Sequence, residues 1–200
     1  MDGRMRVAAP FAVDLRLLYD YRKAIQIRLR RRWNMIVPYE QITLPCPTSI
    51  DEVNEDILHQ VTSVPQFYAD MPVRDGALEA VDYLRQYGKI FVFSSRPAVM
   101  RNITLIALGR DFGTMIIAED TKEIRPLYMG KSRAAEANIQ GVHWAFEADP
   151  KEALAYARRR IHCTLVVNEF TAHYKPNRFI LEAESFLDAV HRYDSLYVKE

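Results

Sequence analysis

Apolar positions along this chain follow two patterns: short continuous runs, and stripes that recur every three or four residues. Val7-Ala8-Ala9-Pro10-Phe11-Ala12-Val13 is a run that stops at Asp14. It predicts a buried strand carrying Asp14 at its C-terminal end. Leu18, Tyr21, Ile25, Leu29 and Trp33 then recur on one face of a long helix, with Arg22, Lys23, Gln26, Arg30 and Arg31 on the other. Pro38 and Pro45-Cys46-Pro47 interrupt that pattern. Ser49 and Glu52 have capping-box spacing ahead of a Val53, Ile57, Val61 stripe, and Val64-Pro65 ends this second helix. Residues 18–65 therefore read as a helical insertion after the first strand.

Beyond residue 75 the two patterns alternate. Ala77, Ala80, Val81 and Leu84 predict a helix stopped near Gly88. Ile90-Phe91-Val92-Phe93-Ser94 predicts a strand, and Val99, Ile103 and Ile106 suit the helix after it. Met115–Ala118 reads as a third strand, residues 131–139 as a short helix, and Val142–Phe146 as a fourth strand. Residues 151–160 read as a helix, Cys163–Asn168 as a fifth strand, and residues 184–193 as the last helix. Nearly all-apolar strands alternating with helices imply an α/β protein: a three-layer, Rossmann-like parallel sheet covered on both faces.

Composition narrows the function more than the fold. Two hundred residues, 49% hydrophobic and 26% charged, suit one globular domain with a small insertion. A formal charge of +1 supplies no global drive toward nucleic acid or an anionic membrane. No apolar run is long enough to span a bilayer, and the apolar stretch before Asp14 is too short for a signal peptide. Two cysteines, Cys46 and Cys163, cannot make a disulfide framework. The expectation is a cytoplasmic protein. The basic cluster Arg28, Arg30, Arg31, Arg32 reads as the solvated face of an amphipathic helix rather than a phosphate patch.

In open α/β sheets, ligands bind at the carboxyl ends of the strands. The residues expected there are Asp14, Ser94, Ser95, Glu147 and Asp149, with Lys131 opening the helix before the fourth strand. Acidic oxygens suit a hard cation such as Mg²⁺, and hydroxyl and ammonium groups suit phosphate oxygens. Glu147 and Asp149 either anchor that metal or pair with Arg16 in a metal-free network.

The order of these residues resembles the haloacid dehalogenase-like (HAD) superfamily, and is closest to its 5'(3')-deoxyribonucleotidase branch. Pro65-Gln66-Phe67-Tyr68-Ala69-Asp70-Met71-Pro72 and Gly76-Ala77-Leu78-Glu79-Ala80 are similar to that branch's aromatic pair and helix start. Phe93-Ser94-Ser95-Arg96-Pro97 is similar to the second family motif, and Phe146-Glu147-Ala148-Asp149-Pro150 to the acidic fourth. Lys131 matches the third-motif lysine, with Lys122 as a rival. The resemblance implies a core of residues 1–17 and 66–200 and a small helical cap of 18–65. It implies Asp14 as nucleophile, and Ser94, Ser95, Arg96, Phe67 and Tyr68 as phosphate or substrate contacts. Lys131 would stand at the phosphate or beside Asp14, and Asp14, Glu147 and Asp149 would hold Mg²⁺. Relatives bearing such a cap often pair, so it also implies a homodimer.

The first motif departs from the family pattern. The second aspartate is replaced by Arg16 and the glycine is gone: Asp14-Leu15-Arg16-Leu17-Leu18. In the family, that second aspartate protonates the leaving oxygen and activates water. Arginine does not exchange its proton near neutral pH. A protein that binds phosphate or a nucleotide with weakened or lost phosphomonoesterase activity is therefore expected. The alternatives are a Mg²⁺-dependent nucleotidase or other hydrolase using Asp14 by a variant mechanism, and a non-catalytic scaffold for a protein partner.

Overall fold

The computed structural model describes residues 10–42, 55–94, 96, 98–113, 133–167 and 177–197. Five parallel strands form one sheet: β1 (Phe11–Asp14), β2 (Ile90–Phe93), β3 (Trp144–Glu147), β4 (His162–Val166) and β5 (Ile180–Ala183), in the order β2-β1-β3-β4-β5. The chain winds outward from β1 in both directions, so β1 and β3 flank the switch point where a doubly wound sheet opens a crevice. The side chains of β1, β2 and β3 are buried throughout, as the unbroken apolar runs predict.

Alternate residues of each strand feed opposite faces. Phe11, Val13, Trp144 and Phe146 enter one core with α5 (Ala77–Arg85) and α9 (Phe186–Tyr197). Ala12, Phe91, Phe93, Ala145, Cys163 and Leu165 enter another with α7 (Arg133–Ile139) and α8 (Pro150–Arg158). These are the three layers. Between β1 and β2 lie α1 (Leu15–Leu18), α2 (Tyr21–Trp33), α3 (Glu55–Thr62) and α4 (Pro65–Ala69). Ile25, Leu29 and Val61 from this segment join the first core rather than forming one of their own. Helix α6 (Arg101–Phe112) follows β2.

Several expectations are corrected. The helix expected to run unbroken from Leu18 stops at Tyr19, and Asp20 starts α2 by accepting the Lys23 N–H at 2.9 Å. Pro65 does not only end the preceding helix; it opens α4, where its missing N–H costs nothing. On α6 the buried side is Thr104, Ala107, Leu108 and Phe112, while Val99 and Ile106 face solvent. Strand β5 was not anticipated. The expected strand at Met115–Ala118, Ser49, Glu52, Cys46, Ser95, Lys122 and Lys131 lie outside the described residues. No helix among the described residues is long and apolar enough to cross a membrane.

Gly76 sets the start of α5. Its φ is +75°, and a Cβ there would lie 3.3 Å from the Leu187 Cβ on α9. Both the left-handed backbone and the close approach favour glycine. Gly76→Ala is expected to destabilise the protein by about 1–2 kcal/mol, seen as a lower urea midpoint at unchanged slope. An unmoved midpoint would show that neither constraint binds.

Candidate active site

Asp14 ends β1 and at the same time begins α1: its Oδ1 accepts the Arg16 backbone N–H at 2.9 Å. This tight turn from strand to helix brings the Arg16 side chain back over the carboxylate. Arg16 Nε donates to Asp14 Oδ2 at 2.8 Å, and Nη2 donates to the same oxygen. From the first turn of α7, Arg133 Nη1 reaches Asp14 Oδ2 at 3.2 Å and both oxygens of Glu147 at 3.2 Å. Glu147 closes β3, the neighbour of β1, so the parallel register itself places the two carboxylates side by side. Asp149, one turn on, caps α8 by accepting the Lys151 N–H and lies 3.6 Å from Arg16 Nη2. Arg16 Nη2 is 3.9 Å from Glu147.

Burial governs the charge states. Asp14 and Glu147 are 0% and 1% exposed. Burial alone would raise the Asp14 pKa, but the Arg16 and Arg133 guanidiniums overcome it and hold the carboxylate ionised, far below its ordinary range. Burial and the Asp14 charge push Glu147 well above its ordinary value of 4.5, against the pull of Arg133. The two carboxyls are thus pushed in opposite directions, Asp14 toward its ionised form and Glu147 toward its protonated form. Arg16 and Arg133, despite burial, stay charged because Asp14 faces both.

Ser94 lies at the end of β2, 2% exposed, and its Oγ accepts the Arg96 N–H at 3.0 Å. The Arg96 side chain turns inward: it donates to Thr104 Oγ1 at 3.0 Å and to Met71 Sδ at 2.9 Å, between the rings of Tyr19 and Tyr68. Phe67 and Tyr68 are buried and meet edge to face at 5.2 Å, with Tyr21 on the far side of Phe67. Asp14, Arg16, Glu147 and Asp149 are therefore brought together, whereas Arg96 and Tyr68 join a separate cation–aromatic stack. Two neighbours escaped the sequence reading. Arg133, two residues past Lys131, carries no local signal beyond being a cation at a helix start. Tyr156 of α8 is fully buried, and Glu147 and Cys163 are among its electrostatic neighbours. Its hydroxyl has no hydrogen-bond partner among the described residues.

The donor set does not fit a divalent cation as it stands. Mg²⁺ requires open oxygen lone pairs in near-octahedral array. Both Asp14 oxygens already accept N–H donors, and the Arg16 guanidinium lies between Asp14 and Asp149. Among the described residues, no group of three or more His, Cys, Asp or Glu is placed to hold a metal.

The two carboxylates give opposite pH signatures. Asp14, lowered on folding, contributes stability that is present above 3.8 and lost as pH falls. Glu147, raised on folding, contributes stability that is present below 4.5 and lost as pH rises. His143 and His162, lowered by burial, work in the opposite direction near 6.5 and cancel in a comparison of variants. Glu147→Gln keeps the shape and removes the titration. The variant is expected to gain stability relative to the parent between pH 5 and 8, and the gap to narrow below pH 4.5; paired urea titrations across that range check it. A pH-independent difference would mean that Glu147 is already ionised.

Comparison with protein-family models and with curated protein sequences gives no match. Solved structures do match. A haloacid dehalogenase-like hydrolase from Burkholderia xenovorans LB400 is 13% identical, with 96% of this chain and 99% of that chain covered and a TM-score of 0.61. The HAD-hydrolase YfnB from Bacillus subtilis, bound to magnesium, is 11% identical over 93% and 98%, with a TM-score of 0.59. L-2-haloacid dehalogenase from Xanthobacter autotrophicus, with chloropropionic acid covalently bound, is 10% identical over 94% and 98%, with a TM-score of 0.53. A five-stranded parallel sheet between helical layers, matched nearly end to end with these enzymes, gives this chain the haloacid dehalogenase-like hydrolase fold.

Proposed function

We propose that this protein is a HAD-fold relative of the deoxyribonucleotidases that retains the nucleophile position at Asp14 but has weakened or lost phosphomonoesterase activity. One observation carries the reading: Arg16 sits where the resembled motif has its second aspartate, and its guanidinium grips the Asp14 carboxylate. Three consequences follow from that contact. The Asp14 oxygen that would attack phosphorus must first shed charge-assisted hydrogen bonds to Arg16 and Arg133. No proton is available from residue 16 for a leaving alkoxide, because guanidinium does not titrate near neutrality. A metal would have to displace both guanidiniums. Loss of a positioned acid–base alone costs about 10²–10⁴-fold in rate. On this reading residues 18–65 serve as a small cap, and Ser94 and Phe67 keep positions inherited from a phosphate-ester site.

The purified protein with Mg²⁺ is expected to hydrolyse p-nitrophenyl phosphate and nucleoside monophosphates at no more than background. Arg16→Asp is expected to bring measurable Mg²⁺-dependent turnover that Asp14→Asn abolishes. Robust turnover by the parent, lost in Asp14→Asn, would refute the proposal.

A second reading is supported by Asp14 being held ionised by two cations, the state a carboxylate nucleophile needs. Attack of an Asp14 oxygen on the halogen-bearing carbon of a 2-haloacid would expel halide and leave an ester, without a proton for the leaving group. The Xanthobacter enzyme carries chloropropionic acid covalently bound. Chloride release from 2-chloropropionate, with a matching mass increase on the peptide containing Asp14, is the expected result under this reading. Neither signal would appear under the first.

A further inference from the structure

The cluster that the sequence assigns to a solvated helix face does not simply face water. Arg28, Arg31 and Arg32 of α2 line a cavity of about 290 Å³ with Ala24 and Ile27, closed on the other side by Phe67 and Asp70 at α4. Residues three and four apart on a helix share a face, so the three guanidiniums converge. Like charges at that spacing repel each other. The acid in the cavity does not relieve them, because both Asp70 oxygens accept from Gln66 Nε2 at 2.8 Å. Among the described residues, no carboxylate pairs with Arg28, Arg31 or Arg32. The Arg28 Nε atom is buried and has no hydrogen-bond partner there. That Nε–H belongs to the edge of the guanidinium fork that grips carboxylate and phosphate in pairs. The Arg32 guanidinium lies over the Trp33 ring, 5.0 Å from its centroid.

We propose that this groove is a binding site for a small organic phosphate monoester carrying a single flat apolar ring. The phosphate would sit on the arginine fork, and the ring against Ile27, Ala24 and the face of Phe67. The chemistry selects this class on two grounds. Three cations on a helix C-terminal half, unpaired among the described residues, call for a multiply charged anion. A floor of Ala24, Ile27 and Phe67 calls for an apolar body. The volume lies at the small end of ligand sites, which run from roughly 300 to 1,000 Å³, so a one-ring ester fits and an extended polymer does not. Neither Asp14, Arg16 nor Arg133 lines the groove. Binding here therefore stands apart from the reading of the Asp14 site, and is measured by heat rather than turnover.

The test is calorimetric titration of the full chain with phenyl phosphate at low ionic strength. A single site with a dissociation constant below about 1 mM is expected, weakening steeply as salt is raised. Arg28→Gln with Arg31→Gln is expected to weaken it at least tenfold, and Ile27→Glu, which places an acid on the apolar floor, to abolish it. Asp14→Asn is expected to leave it unchanged. Inorganic phosphate is expected to bind more weakly than phenyl phosphate; equal or tighter binding would overturn the role of the apolar floor. Unaltered affinity in folded groove variants, affinity lost instead in Asp14→Asn, or no heat from the parent would each overturn the assignment. Unchanged circular dichroism and thermal midpoint confirm that a variant is folded.

Discussion

Two guanidiniums and three carboxylates meet at the carboxyl ends of β1 and β3, and this edge of the fold depends on how fully they neutralise one another. A carboxylate taken out of water alone costs several kcal/mol, and its partner repays that only with good geometry. Asp14 meets the condition because each oxygen accepts at least one N–H, three of the donors coming from Arg16. Glu147 meets it differently: both its oxygens accept from Arg133, while burial and the Asp14 charge push it toward the protonated form. Asp149 stands at the rim, 3.6 Å from Arg16 Nη2. Asp14 and Glu147 are coupled, since each shifts the other and both face Arg16 and Arg133.

The sheet decides that these groups meet at all. A parallel sheet delivers the ends of its strands to one edge, and the central position of β1 places its last residue beside the last residue of β3. The helices following those strands start at the same edge, so Asp14 and Asp149 each cap a helix while facing the cluster. Capping is enough to account for both aspartates structurally. It does not account for Glu147, which is buried, caps no helix among the described residues, and faces Asp14, Arg133 and Arg16. Burying an acid there costs free energy that an apolar side chain would not, and Arg133 offsets part of that cost.

Much of this could be read before any coordinates. Unbroken apolar runs such as Ile90–Phe93 have no reading except a buried strand, and the run ending at Asp14 placed the carboxylate correctly. The substitution at residue 16 was equally plain, because a guanidinium two residues from a strand-end aspartate can fold back on it through a single helical turn. Other features left no trace. Periodicity continues through Tyr19 and Asp20, so the break between α1 and α2 is invisible until Asp20 is seen to cap. The β5 strand is half exposed and interrupted by Glu182, and its Ile180–Ala183 pattern is too short to separate from loop. Arg133 looks like any helix-start arginine until the fold turns it toward two buried acids. Val99 and Ile106 share a helical spacing, yet the buried face of α6 is the one carrying Thr104, Ala107, Leu108 and Phe112.

A guanidinium differs from a divalent cation in ways that bear on where an anionic ligand would go. Mg²⁺ brings two charges and open coordination positions; Arg16 brings one charge, spent on Asp14, with its donors already aimed. An incoming phosphate dianion at this edge meets a balanced cluster and a fixed carboxylate. At 4 Å, each unit charge pair is worth about 4 kcal/mol at an effective dielectric of 20, so repulsion from Asp14 is not offset unless Arg133 or Arg16 lets go. At the α2 groove the balance runs the other way, since Arg28, Arg31 and Arg32 converge with no carboxylate partner among the described residues. A phosphate dianion is thus electrostatically better received at this groove than at the strand edge.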